Sequence, residues 1–163
     1  MDENLLLSLL KNNARLEVTD LAAALNASEQ EVENSIKDLE KRKVICGYHT
    51  LINYDKTNDE EVLALIQIDA APEREYGYDR VAKTIYNFEE IDTLYLLSGS
   101  HEFMAMIKGR TMQEVARFVG SKLAPLDGVT ATATLFVLKQ YKHNGVIFDE
   151  TSDKSEERLV VTP

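Results

Sequence analysis

The chain of 163 residues has one cysteine, no tryptophan, three prolines and three histidines. Each scarcity excludes something. A single cysteine, Cys46, cannot build a disulfide framework, and no CxxC pair offers a zinc site. Cys46 therefore reads as a small apolar filler. Apolar runs such as Val62 to Ile66 and Leu135 to Leu138 fall far short of the roughly 20 residues that span a bilayer. The opening residues, MDENLLLSLLKNN, begin with acids rather than the basic region of a signal peptide. A cytoplasmic protein without membrane contact is expected. His49, His101 and His143 are far apart, and no GxSxG, HExxH or P-loop motif occurs. No enzymatic activity, metal site or cofactor is expected. The tyrosines are scattered and form no RNA-stacking motif.

Positive charge is also scarce. The net charge is −10, and a field of that sign repels phosphate. Its distribution is uneven. Residues 1–54 hold six Lys and Arg against nine Asp and Glu, a net of −3, and four of those six cations lie between Lys37 and Lys43. Any nucleic-acid contact belongs there.

What is present is a pattern of two parts. Leu6, Leu9 and Leu10 give helical spacing over residues 3–13. Thr19 is placed to cap a short helix over Asp20 to Leu25, and Ser28 to cap a third helix reaching about Lys43. Residues 44–54, VICGYHTLINY, alternate like two strands around Gly47. Helices, a tight turn and a hairpin make a winged helix-turn-helix over residues 1–54. Residues 55–61, DKTNDEE, read as a linker. Residues 62–141 then read strand, helix, strand, strand, helix, strand. The strands are Val62 to Ala70, Asp92 to Ser98, Phe103 to Lys108 and Val129 to Tyr141; the helices are Tyr78 to Phe88 and Thr111 to about Leu123. The fold class is thus α+β: a winged helix-turn-helix joined to a ferredoxin-like βαββαβ domain, with a C-terminal extension over 142–163. In that extension the apolar patches GVIF and RLVV can dock on the sheet, pair as an edge strand or bind another subunit.

The third helix opens with SEQEVENSIK, acids where a DNA-reading helix should start. At 100° per residue, Val32, Ile36 and Leu39 form an inner face. Gln30, Asn34, Lys37 and Lys41 lie opposite. Amides can pair with adenine edges, and ammoniums with guanine or phosphate. Ser28 and Glu31 have capping-box spacing, and Glu29 sits where the helix dipole favours an anion. Glu33 can pair with Lys37, and Asp38 with Arg42. Lys41, Arg42, Lys43, Tyr48 and His49 are natural phosphate contacts, whereas Arg15 is expected to brace the domain. The bland alternative for this face is a solvated surface. A second polar cluster, Ser98, Gly99, Ser100, His101 and Glu102, joins two strands; by itself it is a polar β-turn.

Three stretches, NNARLEVTDLAAALNASEQEV, IKDLEKRKVICGY and LLSGSHEFMAMIKG, resemble the Lrp/AsnC family of transcription regulators from residue 1 to about 141. The resemblance implies a sequence-specific regulator of double-stranded DNA. It implies a homodimer, and dimers associating further. It also implies a small-molecule effector, an amino acid, bound near Ser98 to Glu102, to which Thr132 and Thr134 can add hydroxyls. Such regulators often carry arginine where Asn34 and Ser35 stand, and commonly glycine where Lys43 stands. The competing expectation is a ligand-sensing oligomeric interaction module with weak or no DNA binding of its own.

Overall fold

The computed structural model describes residues 1–59 and 61–148. The chain divides into two compact units, Met1–Ile52 and a second from Asn53 onward.

The first unit is three helices: α1 Glu3–Asn12, α2 Val18–Leu25 and α3 Glu29–Lys41. The Asp2 carboxylate caps α1, accepting from the N–H groups of Asn4 and Leu5. Thr19 does not cap α2. The chain turns two residues earlier, because the Glu17 carbonyl already accepts from the N–H groups of Asp20 and Leu21. Asn26, at φ 48°, ends α2 in the left-handed region, where asparagine is tolerated. Leu6, Leu10, Leu21, Ala22, Val32 and Leu39 form the core, with Ile36 and Ile45 half-buried against it. Full burial of each large side chain contributes about 1.5–3 kcal/mol, so six core residues leave this small unit little margin. At the end of α3 the Val44 N–H donates to the Leu39 carbonyl, and Lys43 sits at φ 60°. That left-handed position normally favours glycine.

The expected hairpin over 44–54 is not formed: residues 44–53 contain no strand. Side-chain bonds tie the segment back toward α3 instead. The Cys46 thiol donates to the Lys43 carbonyl, and the Tyr48 hydroxyl to Glu40 Oε1.

Near the start of the second unit a 3-10 turn, Tyr54–Lys56, runs from the last residue read as winged helix-turn-helix into the stretch read as linker. Strands β1 Val62–Ala70, β2 Ile91–Leu96, β3 Phe103–Gly109 and β4 Val129–Phe136 form an antiparallel sheet in the order β2-β3-β1-β4. Strand β1 alternates as its sequence suggests: Ala64, Ile66, Ile68 and Ala70 are buried. Helix α4, Asp79–Tyr86, packs Val81 and Ile85 on that face; α5, Met112–Phe118, packs Val115 and Phe118 there. Thr111 caps α5 as its position predicts, and a π turn, Val119–Leu123, continues it. The last strand stops at Phe136, five residues before Tyr141. Its ladder partner β1 begins at Val62, and the bond from the Val137 N–H to the Leu63 carbonyl is the last between them. Gly128 has φ 89°, and a Cβ there would lie 2.7 Å from Val81 Cγ2, so the turn into β4 requires glycine. GVIF does not join the edge of the four-stranded sheet; it pairs instead in a separate ladder, β5 Lys142–His143 with β6 Val146–Ile147. RLVV lies outside the described residues.

Candidate nucleic-acid interface and effector loop

Helix α3 is fixed at its start by a complete capping box. Ser28 Oγ accepts from the Glu31 N–H, while Glu31 Oε2 accepts from the Ser28 N–H at 2.9 Å. That backbone bond, then the Ser28 hydroxyl, holds the Glu31 carboxyl below the usual carboxylate range. Two of the acids that made the helix look unsuited to DNA are therefore accounted for. Glu31 serves the backbone, and Glu29 sits in the first turn. The inner face is as the wheel places it: Val32 and Leu39 are buried. Gln30, Asn34, Lys37 and Lys41 are exposed together.

These side chains are not equally available. The Gln30 amide donates to Asn34 Oδ1 at 3.2 Å, so the amides are aligned but partly satisfied by each other. Lys37 Nζ lies 3.3 Å from Glu33 Oε2, the pairing expected from their spacing. Arg42 is committed further. Its guanidinium donates to both Glu3 carboxylate oxygens and contacts Asp38 Oδ2 at 2.8 Å. Glu3 first, then Asp38, hold it more firmly protonated than usual. Arg42 thus braces α1 against α3, the role expected of Arg15. The Arg15 side chain makes no hydrogen bond or ion pair among the described residues. Lys41 and Lys43 are exposed and unpaired among the described residues. Tyr48, with its hydroxyl on Glu40, is held above the usual phenol range by partial burial and then by that carboxylate. His49 is exposed beside it.

In the second unit, Ser98, Gly99 and Ser100 are exposed, and His101 and Glu102 are half-buried. The loop is latched to the end of β1. His101 Nδ1 is 2.6 Å from Asp69 Oδ1, Glu102 Oε2 accepts from the Ala70 N–H at 2.9 Å, and the Leu97 N–H donates to the Glu102 carbonyl. Glu102 is therefore partly used by the fold. Gly99 lies outside the left-handed region, with nothing within 4 Å of where a Cβ would stand. Within the chain nothing requires glycine there. Thr132 and Thr134 pair with Ile68 and Ile66, so strand β1 separates them from β3 and the loop leading into it. Asp69 and Glu3 were missed in the sequence because their partners lie 32 and 39 residues away. A lone acid ending the apolar run VLALIQIDA was the one available signal for Asp69.

Residues 63–147 match the Lrp/AsnC ligand binding domain. This chain belongs to the Lrp/AsnC family. It is 40% identical over 162 residues to the uncharacterized HTH-type transcriptional regulator YugG of Bacillus subtilis, covering 99% of this chain and 96% of that one. It is 31% identical over 140 residues to the HTH-type transcriptional regulator LrpA of Pyrococcus horikoshii, covering 86% and 96%. Among solved structures, the transcriptional regulator NMB0573/L-Met complex of Neisseria meningitidis superposes with a TM-score of 0.67 at 22% identity, covering 85% of this chain and 88% of that one. The family members compared are transcriptional regulators. Within the family architecture the helical unit is the helix-turn-helix and the sheet unit the ferredoxin-like domain. No described helix is long and apolar enough to cross a membrane.

Proposed function

We propose that this protein is a cytoplasmic, sequence-specific DNA-binding regulator whose α3 enters the major groove. The observation that carries this reading is the outer face of α3, where two amides and two ammoniums stand exposed in one row while the acids of the first turn serve its start. On this reading Gln30 and Asn34 read bases. Lys37, Lys41 and Lys43 meet phosphate, with Ser28, Tyr48 and His49 at the margins. Arg42 contributes only if it leaves Glu3. Residues 1–54 form the DNA-binding domain, 55–61 the linker and 62–141 the effector and dimer domain.

The sheet surface opposite its helices supports a dimer. It carries Leu63, Leu65, Met104 and Met106 half-buried, with Tyr95 and Leu135 exposed. A contiguous apolar face of this kind marks an interaction surface, and a second copy gives the paired heads that a two-fold operator needs. The effector is an amino acid held near Ser98 to Glu102, a reading supported by the likeness to a regulator solved with L-Met. A glycine at 99 that the single chain does not need is consistent with close approach of a ligand or another subunit. An effector shifts the assembly only by binding its two states unequally.

The test is anisotropy of a labelled promoter duplex across salt, with and without each amino acid. Log affinity should fall linearly with log salt. Failure to bind any duplex at low salt would favour the interaction-module reading, which the net charge of −10 and the intramolecular pairing of Lys37 and Arg42 keep in view.

A further inference from the structure

A cleft of about 750 Å³ lies at the far end of the sheet from the effector loop, bordered by Tyr54, Asp59, Glu61, Lys108, Arg110 and Glu114. Its volume is that of a small-molecule site. Lys108 and Gly109 end β3, whereas the loop enters that strand at Phe103. Six residue steps along the strand separate the two places by about 20 Å.

We propose that this cleft is a second ligand site, for a small molecule with one carboxylate and two ammonium groups, the diamino-acid class. The charges on its walls select that class. Lys108 is already engaged, 3.2 Å from Asp92 Oδ1; burial alone would lower its pKa, but Asp92, then Glu61 and Tyr54, keep it raised. Glu114 Oε2 accepts the Arg110 N–H at 2.8 Å. The Arg110 guanidinium itself has no hydrogen bond or ion pair among the described residues, which makes it the cleft's available anchor for a carboxylate. Val62 pairs with Gly109, so Glu61 and Arg110 flank each other one step beyond the ladder. Unlike charges are thus offered side by side. Among the described residues the bordering side chains are three acids and two bases, a net of −1. A plain anion meets those acids, and a plain diamine leaves the guanidinium unused. A diamino acid, of net charge +1, complements both.

The probes are L-lysine, 6-aminohexanoate and cadaverine, titrated calorimetrically into the full-length protein. L-Lysine should bind most tightly. Cadaverine, with no carboxylate, should bind roughly tenfold more weakly, the worth of one charge-assisted hydrogen bond. Arg110→Gln should remove the difference between lysine and cadaverine, and Glu61→Gln should weaken both. Both side chains are exposed or half-buried and outside the core, and matching thermal melts will show that the variants fold. Gly99→Asp, at the effector loop, should leave lysine binding intact. No lysine binding at millimolar concentration overturns the proposal. So does lysine binding that survives Arg110→Gln but is lost with Gly99→Asp, which would place the ligand at the loop and leave the effector reading standing.

Discussion

Glu33→Gln should tighten DNA binding. Glu33 is the one acid on the early part of α3 that serves neither the helix start nor the core, and it holds Lys37 at 3.3 Å. Both side chains are largely exposed, at 46% and 68%, so the pair itself is worth only about 0.3–0.5 kcal/mol. With Lys37 on phosphate, as proposed, breaking it is a cost that DNA binding bears in the wild type. The variant is spared that cost and also loses a repelling charge. A carboxylate roughly 8 Å from a phosphate costs about 0.5 kcal/mol in water, and less once a Debye length of about 10 Å is allowed for. Together these amount to roughly 0.5–1 kcal/mol, or two- to fivefold in affinity per head. Two heads on one operator square that factor. The assay is fluorescence anisotropy of a promoter duplex at low salt, repeated as salt rises. The gain should shrink with salt, because both contributions are screened. An unchanged or weaker affinity at low salt would refute the placement of Lys37 against DNA.

Lys41→Ala removes a cation that has no partner among the described residues, so the slope of log affinity against log salt should fall by about one per head; an unchanged slope would remove Lys41 from the phosphate contacts. Gly128→Ala puts a Cβ 2.7 Å from Val81 Cγ2 at φ 89°, and left-handed strain plus overpacking should cost about 2–5 kcal/mol in a urea melt of the sheet unit. Lys122 Nζ, 2.6 Å from Glu90 Oε1, holds the Glu90 carboxyl below its usual range. A depressed carboxylate pKa contributes stability above the unfolded value and loses it as pH falls through the folded one. Glu90→Gln should therefore melt below the wild type at neutral pH, and the two melting temperatures should converge in acid; a constant gap across pH would exclude the ion pair as the cause.

Much of the fold could be read from the sequence because its signals are local. Ser28 and Glu31 are three residues apart, and their capping box is complete. The alternation of β1 and the spacing of Val81 and Ile85 follow from the period of a single element. The failures occur where a partner outside the element decides. Residues 44–54 alternate like a hairpin, but Tyr48 bonds to Glu40, and residues 44–53 form no strand. Strand β4 has strand-like sequence to Tyr141, yet ends where β1 runs out. At the sites, residue types were legible but their commitments were not. By its neighbours in sequence Arg42 reads as a phosphate contact, but Glu3, 39 residues away, holds it; Glu102 reads as free, but it accepts from the Ala70 N–H, 32 residues away.

Those commitments also reconcile the acidity with a regulator of DNA. Of the four cations between 37 and 43, Lys37 and Arg42 are held by acids of the same unit. Lys41 and Lys43 remain. On the proposed reading, two phosphate contacts per head give a salt slope near −2, too shallow for one head to bind duplex DNA tightly at random. Engaging Lys37 and Arg42 requires Glu33, Asp38 and Glu3 to release them, and only a well-fitting site can offset that cost. The bond between Gln30 and Asn34 adds a similar condition, since base edges must replace the partner that each amide already has. If α3 reads DNA as proposed, the paired acids weaken binding to every sequence but weaken it least where the bases fit. On that reading strong binding needs two heads at once, each contributing a modest term that the other multiplies.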